Sequence, residues 1–64
     1  MGIKIKVRRT EKMMKQKELA KEVGISIQYL NALENGRANN PSIPVMKKIS
    51  EILEIPVQEL FFNE

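Results

Sequence analysis

Apolar residues recur at helical spacing along most of the chain. Two short stripes carry the clearest signal: Leu19, Ala20 and Val23, then Leu30 and Leu33. Gly24 lies between the stripes and supplies the backbone freedom that a sharp corner between two helices requires. The pattern predicts two short helices joined by a tight turn, with the second helix ending at Gly36.

Polar residues predict where the helices begin. Ser26 is placed to cap the second helix of the pair, because its hydroxyl can accept a hydrogen bond from an orphan backbone N–H. Ser42 can cap a further helix in the same way, and Pro56 opens a final short one. The inward residues of these last two helices are expected to be Ile43, Met46, Ile49 and Leu53, then Val57, Leu60 and Phe61.

The N-terminal segment is open to two interpretations. Residues 3–8 alternate apolar and basic side chains, which in isolation is the pattern of a strand. A helix is the alternative, because Ile5, Arg9 and Lys12 would then share a face. We favour a helix from Lys4 or Ile5 to Met13, preceded by an extended arm over residues 1–4, with strand or helix left open for residues 3–7.

Two positions at the end of this helix and just beyond it break local rules. Met13 lies where a left-handed cap would suit a glycine better. Lys15 lies where a serine or threonine usually caps the next helix. The sequence offers no structural explanation for either residue. Met14, between them, is expected to turn inward beside Ile5 and Leu19.

Length and composition narrow the classes of function. The chain has 64 residues, which make one domain over residues 1–64 with a thin core. It contains no cysteine and no histidine, so it lacks thiolate metal ligands, disulfides and the usual acid–base group. No apolar run resembles a signal peptide or a membrane span. We expect a cytoplasmic protein with no membrane association, metal or cofactor.

Charge is unevenly distributed along the chain. The net charge is +3, but residues 1–37 hold nine Lys and Arg against four Glu, a balance of +5. Residues 38–64 hold two Lys against four Glu, a balance of −2. The basic excess therefore lies on the half that contains the helix pair, as expected of a surface that binds a polyanion. An ordinary solvated face is the alternative.

Together these segments resemble the phage-repressor and Cro-type (XRE-like) helix-turn-helix proteins. The matching pieces are Arg9, Gln16-Lys-Glu-Leu-Ala, Val23-Gly24-Ile25-Ser26, Leu30, Leu33-Glu34-Asn35-Gly36-Arg37, Pro41-Ser42 and Leu53-Glu-Ile-Pro-Val-Gln-Glu-Leu60. The resemblance covers residues 5–61. It implies an all-α, compact five-helix lambda-repressor-like domain in which helices 2 and 3 form the helix-turn-helix.

The resemblance implies that the third helix, Ile27–Asn35, enters the major groove of DNA. Its base-facing residues would be Ile27, Gln28, Asn31 and Ala32. Gln28 and Asn31 can each pair bidentately with adenine, and Ile27 can contact a thymine methyl group. Without this context, both amides would be ordinary solvated side chains.

Other side chains are assigned to the DNA backbone or to the fold. The candidates for phosphate contacts are Gln16, Lys17, Asn35, Arg37, Asn39 and Asn40. Solvated charges and plain turn formers are the alternatives for these residues. Arg9 and Glu34 match a family ion pair that would lock helix 1 to helix 3 behind the DNA-facing surface.

The leading hypothesis is a sequence-specific regulator of transcription that binds double-stranded DNA, a small bacterial, plasmid or phage repressor. A homodimer on a palindromic operator is expected, with no small-molecule ligand evident. Val45, Ile52 and Phe62 are candidates for an exposed apolar association patch. The alternatives are an antitoxin-like or scaffold module that binds protein on the same fold, and an enzyme, for which only carboxylates, lysines and Tyr29 are available.

Overall fold

The computed structural model describes residues 3–38 and 40–62. These residues form four α-helices and a final π-helical turn: α1 (Ile3–Glu11), α2 (Gln16–Val23), α3 (Ile27–Glu34), α4 (Ile43–Leu53) and the turn Gln58–Phe62. No strand occurs within these described ranges. The predicted all-α class with five helical elements is confirmed.

A single core receives side chains from all five elements. Its buried members are Ile5, Leu19, Ala20, Leu30, Leu33, Ile49, Leu53, Leu60 and Phe61. Full burial of a leucine or isoleucine contributes about 1.5–3 kcal/mol, so α2 and α3 are both fixed firmly to this core. Met14 packs against the core, as expected. The helical spacing in the sequence therefore located most of the interior correctly.

The prediction for the N-terminus needs correction. α1 begins at Ile3, so the extended arm expected over residues 1–4 is wrong for Ile3 and Lys4, while Met1 and Gly2 lie outside the described residues. The helix ends at Glu11 and not at Met13. Helical geometry buries Ile5 completely and leaves Ile3 and Val7 exposed, at 63% and 49% of their surface. The alternation of apolar residues therefore does not mark the buried face of a strand.

The connection between α1 and α2 accounts for the two unusual residues. Met13 adopts the left-handed conformation, with φ of 58°, and its N–H donates to the Thr10 carbonyl at 2.9 Å. Lys15 is the N-cap of α2, and its ammonium group has no acceptor to offer the helix. Glu18 provides half of a capping box instead, because its carboxylate accepts the Lys15 N–H at 2.8 Å. The spacing of Lys15 and Glu18 in the sequence was the signal for this contact.

Helix α4 begins as predicted, with the Ser42 hydroxyl accepting the Val45 N–H at 3.3 Å. The expectation that Ile43 faces inward is wrong: it lies in the first turn, ahead of the core, and is 63% exposed. Val45 and Ile52 pack against the core and are half-buried, so they do not form the exposed patch that was expected. The side chain of Phe62, the third candidate for that patch, lies outside what the structure describes.

Two contacts hold α1 against the end of α4. Arg8 Nε donates to the Leu53 carbonyl at 2.8 Å, which satisfies an orphan acceptor of the last helical turn. Lys12 Nζ lies 2.9 Å from Glu54 Oε1. Glu54 itself has a left-handed backbone, with φ of 58°, and ends α4. These contacts attach α1 to the end of α4, and α1 also packs against α3.

Candidate nucleic-acid interface

The corner between α2 and α3 is set by local hydrogen bonds. Gly24 has a φ of 87°, and the N–H groups of Gly24 and Ile25 both donate to the Ala20 carbonyl, at 2.9 and 3.0 Å. The Ser26 hydroxyl then accepts the Tyr29 N–H at 3.0 Å, as its position predicted. α3 consequently starts at Ile27, and it ends at Glu34, one residue earlier than expected, with Asn35 as its C-cap.

Helix α3 has two distinct faces. Leu30, Leu33 and Glu34 are buried on its inner face. The outer face carries Ile27, 48% exposed, together with the exposed amides of Gln28 and Asn31, whereas Ala32 is half-buried at the edge. Three of the four residues expected to face bases are therefore exposed, and Ala32 offers a smaller surface.

A buried carboxylate anchors the inner face of α3. Glu34 accepts hydrogen bonds from Arg9 Nε at 2.7 Å, from Arg9 Nη2 at 3.1 Å and from Gln16 Nε2 at 3.0 Å. The Glu34 and Arg9 side chains are only 4% and 12% exposed. The remaining Arg9 nitrogen, Nη1, donates to the Met14 carbonyl at 2.7 Å. One guanidinium therefore joins α1, α3 and the segment before α2.

Gln16 has a structural partner that the sequence did not reveal. Its amide was expected at a phosphate, yet one of its N–H groups donates to Glu34, which leaves the side-chain oxygen and the other N–H available. The backbone N–H groups of Gln16 and Lys17 open α2 and have no acceptor within the helix. Lys17 is exposed on the same turn. The start of α2 thus presents several hydrogen-bond donors, from its backbone N–H groups and from the side chains of Gln16 and Lys17, next to α3.

Three residues at the end of α3 form a network of side chains. Asn31 Oδ1 accepts from Asn35 Nδ2 and from Arg37 Nη2, each at 3.0 Å. Asn35 Oδ1 accepts from Arg37 Nε at 3.1 Å and from the Arg37 backbone N–H at 3.2 Å. The structure therefore brings together a residue expected to contact a base and two expected to contact phosphates. Asn40 is exposed in the following loop, and Asn39 lies outside the described residues.

An open depression of about 480 Å³ lies between α1 and α3, and its lining residues are Ile3, Lys6, Arg9, Gln16, Asn31, Glu34 and Asn35. Because Arg9 and Glu34 neutralise each other, Lys6 gives this depression a net positive charge. Lys6 is not among the residues that the sequence motifs predicted to contact DNA. Its signal was the three-residue spacing from Arg9, which places the two side chains on one face only if the segment is helical.

Comparison with known proteins identifies the architecture. The helix-turn-helix family model matches residues 5–60, which is most of the chain. The chain belongs to the helix-turn-helix family. This membership confirms the resemblance drawn from the sequence motifs, and the family match contains the whole of α2 and α3.

The chain is similar in sequence to several curated relatives, and in structure to a solved protein–DNA complex. The HTH-type transcriptional regulator SlrR of Bacillus subtilis (strain 168) is 40% identical over 60 residues, covering 94% of this chain and 40% of SlrR. The ImmF control region 10 kDa protein of Bacillus phage phi105 is 38% identical over 64 residues, covering 100% of this chain and 70% of the phage protein. The crystal structure of SinR, the master regulator for biofilm formation, in complex with DNA superposes with a TM-score of 0.85 and 37% identity, covering 92% of this chain and 94% of that chain. The chain spans less than half the length of SlrR.

Other kinds of site are not found in the described part of this helix-turn-helix chain. Across residues 3–38 and 40–62, no cluster of three or more His, Cys, Asp or Glu side chains is arranged to hold a metal ion. In the same ranges, no helix has both the length and the apolar character needed to cross a membrane. Each buried side-chain nitrogen or oxygen there has a hydrogen-bond partner.

Proposed function

We propose that this protein is a sequence-specific regulator of transcription that binds double-stranded DNA and reads the major groove with α3. The observation that carries the proposal is the contrast between the two faces of α3. Ile27, Gln28 and Asn31 are exposed on one face, while the other is fixed by the core and by the ion pair of Glu34 with Arg9. A recognition helix needs both properties, since its outward side chains must meet base edges in one fixed orientation.

The roles of individual side chains follow from their chemistry. Gln28 has both a donor and an acceptor for the N7 and N6 groups of adenine, and Ile27 can pack on a thymine methyl group. Asn31 contributes on the same face, and Ala32 makes a small contact at the edge of α3. Bases are therefore read from successive turns of one short helix.

Phosphate contacts are assigned to the residues around α3. Gln16 and Lys17 stand at the start of α2, where free backbone N–H groups and the helix dipole favour an anion. In the sequence, Asn35, Arg37, Asn39 and Asn40 follow the last residue of α3. These contacts would fix the orientation of the domain on the duplex and carry little sequence information.

We further propose that two copies bind a palindromic operator and that the protein acts as a repressor in the bacterial cytoplasm, without enzymatic activity. An α3 of eight residues can reach only a few base pairs, so a second copy related by two-fold symmetry doubles the sequence that is read. SlrR and SinR are both HTH-type transcriptional regulators, which supports a regulatory role for this related chain.

Selection from a random duplex library tests the proposal. The full chain is incubated with the library at about 0.15 M salt, and the retained duplexes are sequenced. We expect a palindromic motif with half-sites about 34–36 Å apart, and an affinity that falls steeply with salt as phosphates are neutralised. Gln28→Ala should relax the preference at one position of each half-site, while Lys48→Ala, an exposed change on α4, should leave the motif intact.

Absence of any selected motif, with circular dichroism showing a folded wild-type chain, would refute the proposal. Binding that showed no dependence on salt would also contradict it, because phosphate contacts necessarily release counterions. Tight binding to a single protein in place of DNA would then favour an interaction module on the same fold.

A further inference from the structure

The hydrogen-bonding capacity of Asn31 is already partly used within the protein. Its side-chain oxygen has two acceptor positions, and Asn35 Nδ2 and Arg37 Nη2 occupy both of them at 3.0 Å. Its NH₂ group has no partner among the residues that the structure describes. Asn31 therefore presents two donors and no acceptor to the solvent, which is half of what a bidentate pair with adenine requires.

The two partners of Asn31 present donors as well. Arg37 uses Nε and one N–H of Nη2 within the network, which leaves three of its five guanidinium N–H groups. Asn35 uses its oxygen for Arg37 and one N–H for Asn31, which leaves one N–H. The outward surface of this cluster, which we call the donor cluster (Asn31, Asn35 and Arg37), consists of N–H groups alone.

We propose, on the basis of the DNA-binding function proposed above, that the donor cluster reads guanine at the base pair that faces Asn31. Guanine presents two acceptors, N7 and O6, in the major groove, whereas adenine presents one acceptor and one donor. The N6 amino group of adenine would face N–H groups with no acceptor among them. The cluster therefore selects guanine over adenine at this position.

This assignment changes the role of two residues. Arg37 and Asn35 become positioning residues for base recognition, because their hydrogen bonds occupy the Asn31 oxygen. Phosphate oxygens are also acceptors, so the same donors could bind the DNA backbone. The two targets differ in one measurable respect: a base contact changes the preferred sequence, whereas a phosphate contact weakens binding to all sequences alike.

The test compares motifs selected from a random duplex library by the full wild-type chain and by variants. Asn31→Ala identifies the base pair whose preference depends on Asn31, and we expect the wild type to favour guanine there by about tenfold over adenine. The double variant Asn35→Ala, Arg37→Ala frees the Asn31 oxygen. Preference at that same pair should then shift from guanine to adenine, with the rest of the motif unchanged.

Lys17→Ala is the matched control, because it removes an exposed charge outside the donor cluster and should weaken all sequences without changing the motif. The inference is overturned if Asn31→Ala changes no base preference, if the wild type favours another base at that pair, or if the double variant keeps guanine there. A uniform loss of affinity in the double variant, with a salt slope smaller by about 1, would identify a phosphate contact. If the wild type selects a motif but any of these results is found, only this inference is refuted. If the wild type is folded and selects no motif, the proposed function is refuted.

Discussion

Replacing Glu34 by glutamine should destabilise the fold severely, although the two side chains have nearly the same size and shape. Glu34 is buried and accepts three hydrogen bonds, two of them from the guanidinium of Arg9. A glutamine has only one side-chain oxygen to accept hydrogen bonds, and its NH₂ group would face the N–H donors of Arg9 or Gln16. Arg9, only 12% exposed, would then lose its counter-charge.

The magnitude follows from this burial. Removing one partner of a buried ion pair costs about 3–5 kcal/mol. Arg9 keeps its hydrogen bond to the Met14 carbonyl, so we expect the lower end, about 3 kcal/mol. A domain of 64 residues has a total stability of only about 3–10 kcal/mol, and the variant should therefore lose a third of it or more.

Urea denaturation followed by circular dichroism measures this loss. At a slope of about 1 kcal/mol/M, typical of a small domain, the midpoint should fall by about 3 M. Glu51→Gln, an exposed change on α4, is the matched control and should shift stability by less than about 0.5 kcal/mol. The double variant Arg9→Met, Glu34→Leu should stay within about 1 kcal/mol of the wild type, because no unpaired charge remains. A loss below about 1 kcal/mol for Glu34→Gln would show that the pair is effectively solvated and that this reasoning is wrong.

Three smaller predictions concern local structure and pH. Met13→Gly should stabilise the fold by about 0.5–1 kcal/mol, because Met13 has a φ of 58° and its side chain, 89% exposed, contributes little packing. Met13→Ala is the control, which keeps the strained backbone and should change stability little. Ser26→Ala should cost about 1 kcal/mol through loss of the α3 N-cap, and an unchanged thermal midpoint would contradict this. The hydrogen bond and charge of Lys12 lower the pKa of Glu54 from its ordinary value of 4.5, so the stability that this pair contributes is present above pH 4.5 and is lost as the pH falls through the lowered pKa. Urea midpoints of the wild type and Lys12→Gln should therefore converge in acid, and a constant difference between them would refute the assignment.

Sequence periodicity located the core but not the ends of the elements. Leu19, Leu30, Ile49 and Leu53 are buried as predicted because helical spacing alone decides which face of an amphipathic helix they share. Ile43 has the same helical spacing but is exposed, because it lies in the first turn of α4. The spacing of apolar residues does not show whether the end of a helix still packs on the core.

The candidate site also has a part that the sequence predicts and a part that it does not. The exposure of Gln28 and Asn31 on the outer face of α3 follows from their spacing relative to Leu30 and Leu33. The hydrogen bond from Arg37 to Asn31 cannot be predicted in this way, because it depends on the path of the irregular loop after Gly36. Predicting a base contact from residue type alone therefore assumes that every donor and acceptor of the side chain is available. The Asn31 oxygen is not available, because Asn35 and Arg37 already donate to it.

The contact between Gln16 and Glu34 gives the buried carboxylate a role beyond stability. A well-packed apolar pair in place of Arg9 and Glu34 would stabilise the fold about as well, so stability alone does not account for a charged pair behind α3. Glu34 holds both the inner face of α3 and the first side chain of α2. Under the proposed function these two elements contact bases and phosphate simultaneously, and one carboxylate sets their relative position. The variant Arg9→Met, Glu34→Leu separates the two roles, since it should retain stability while Gln16 loses the partner that orients it.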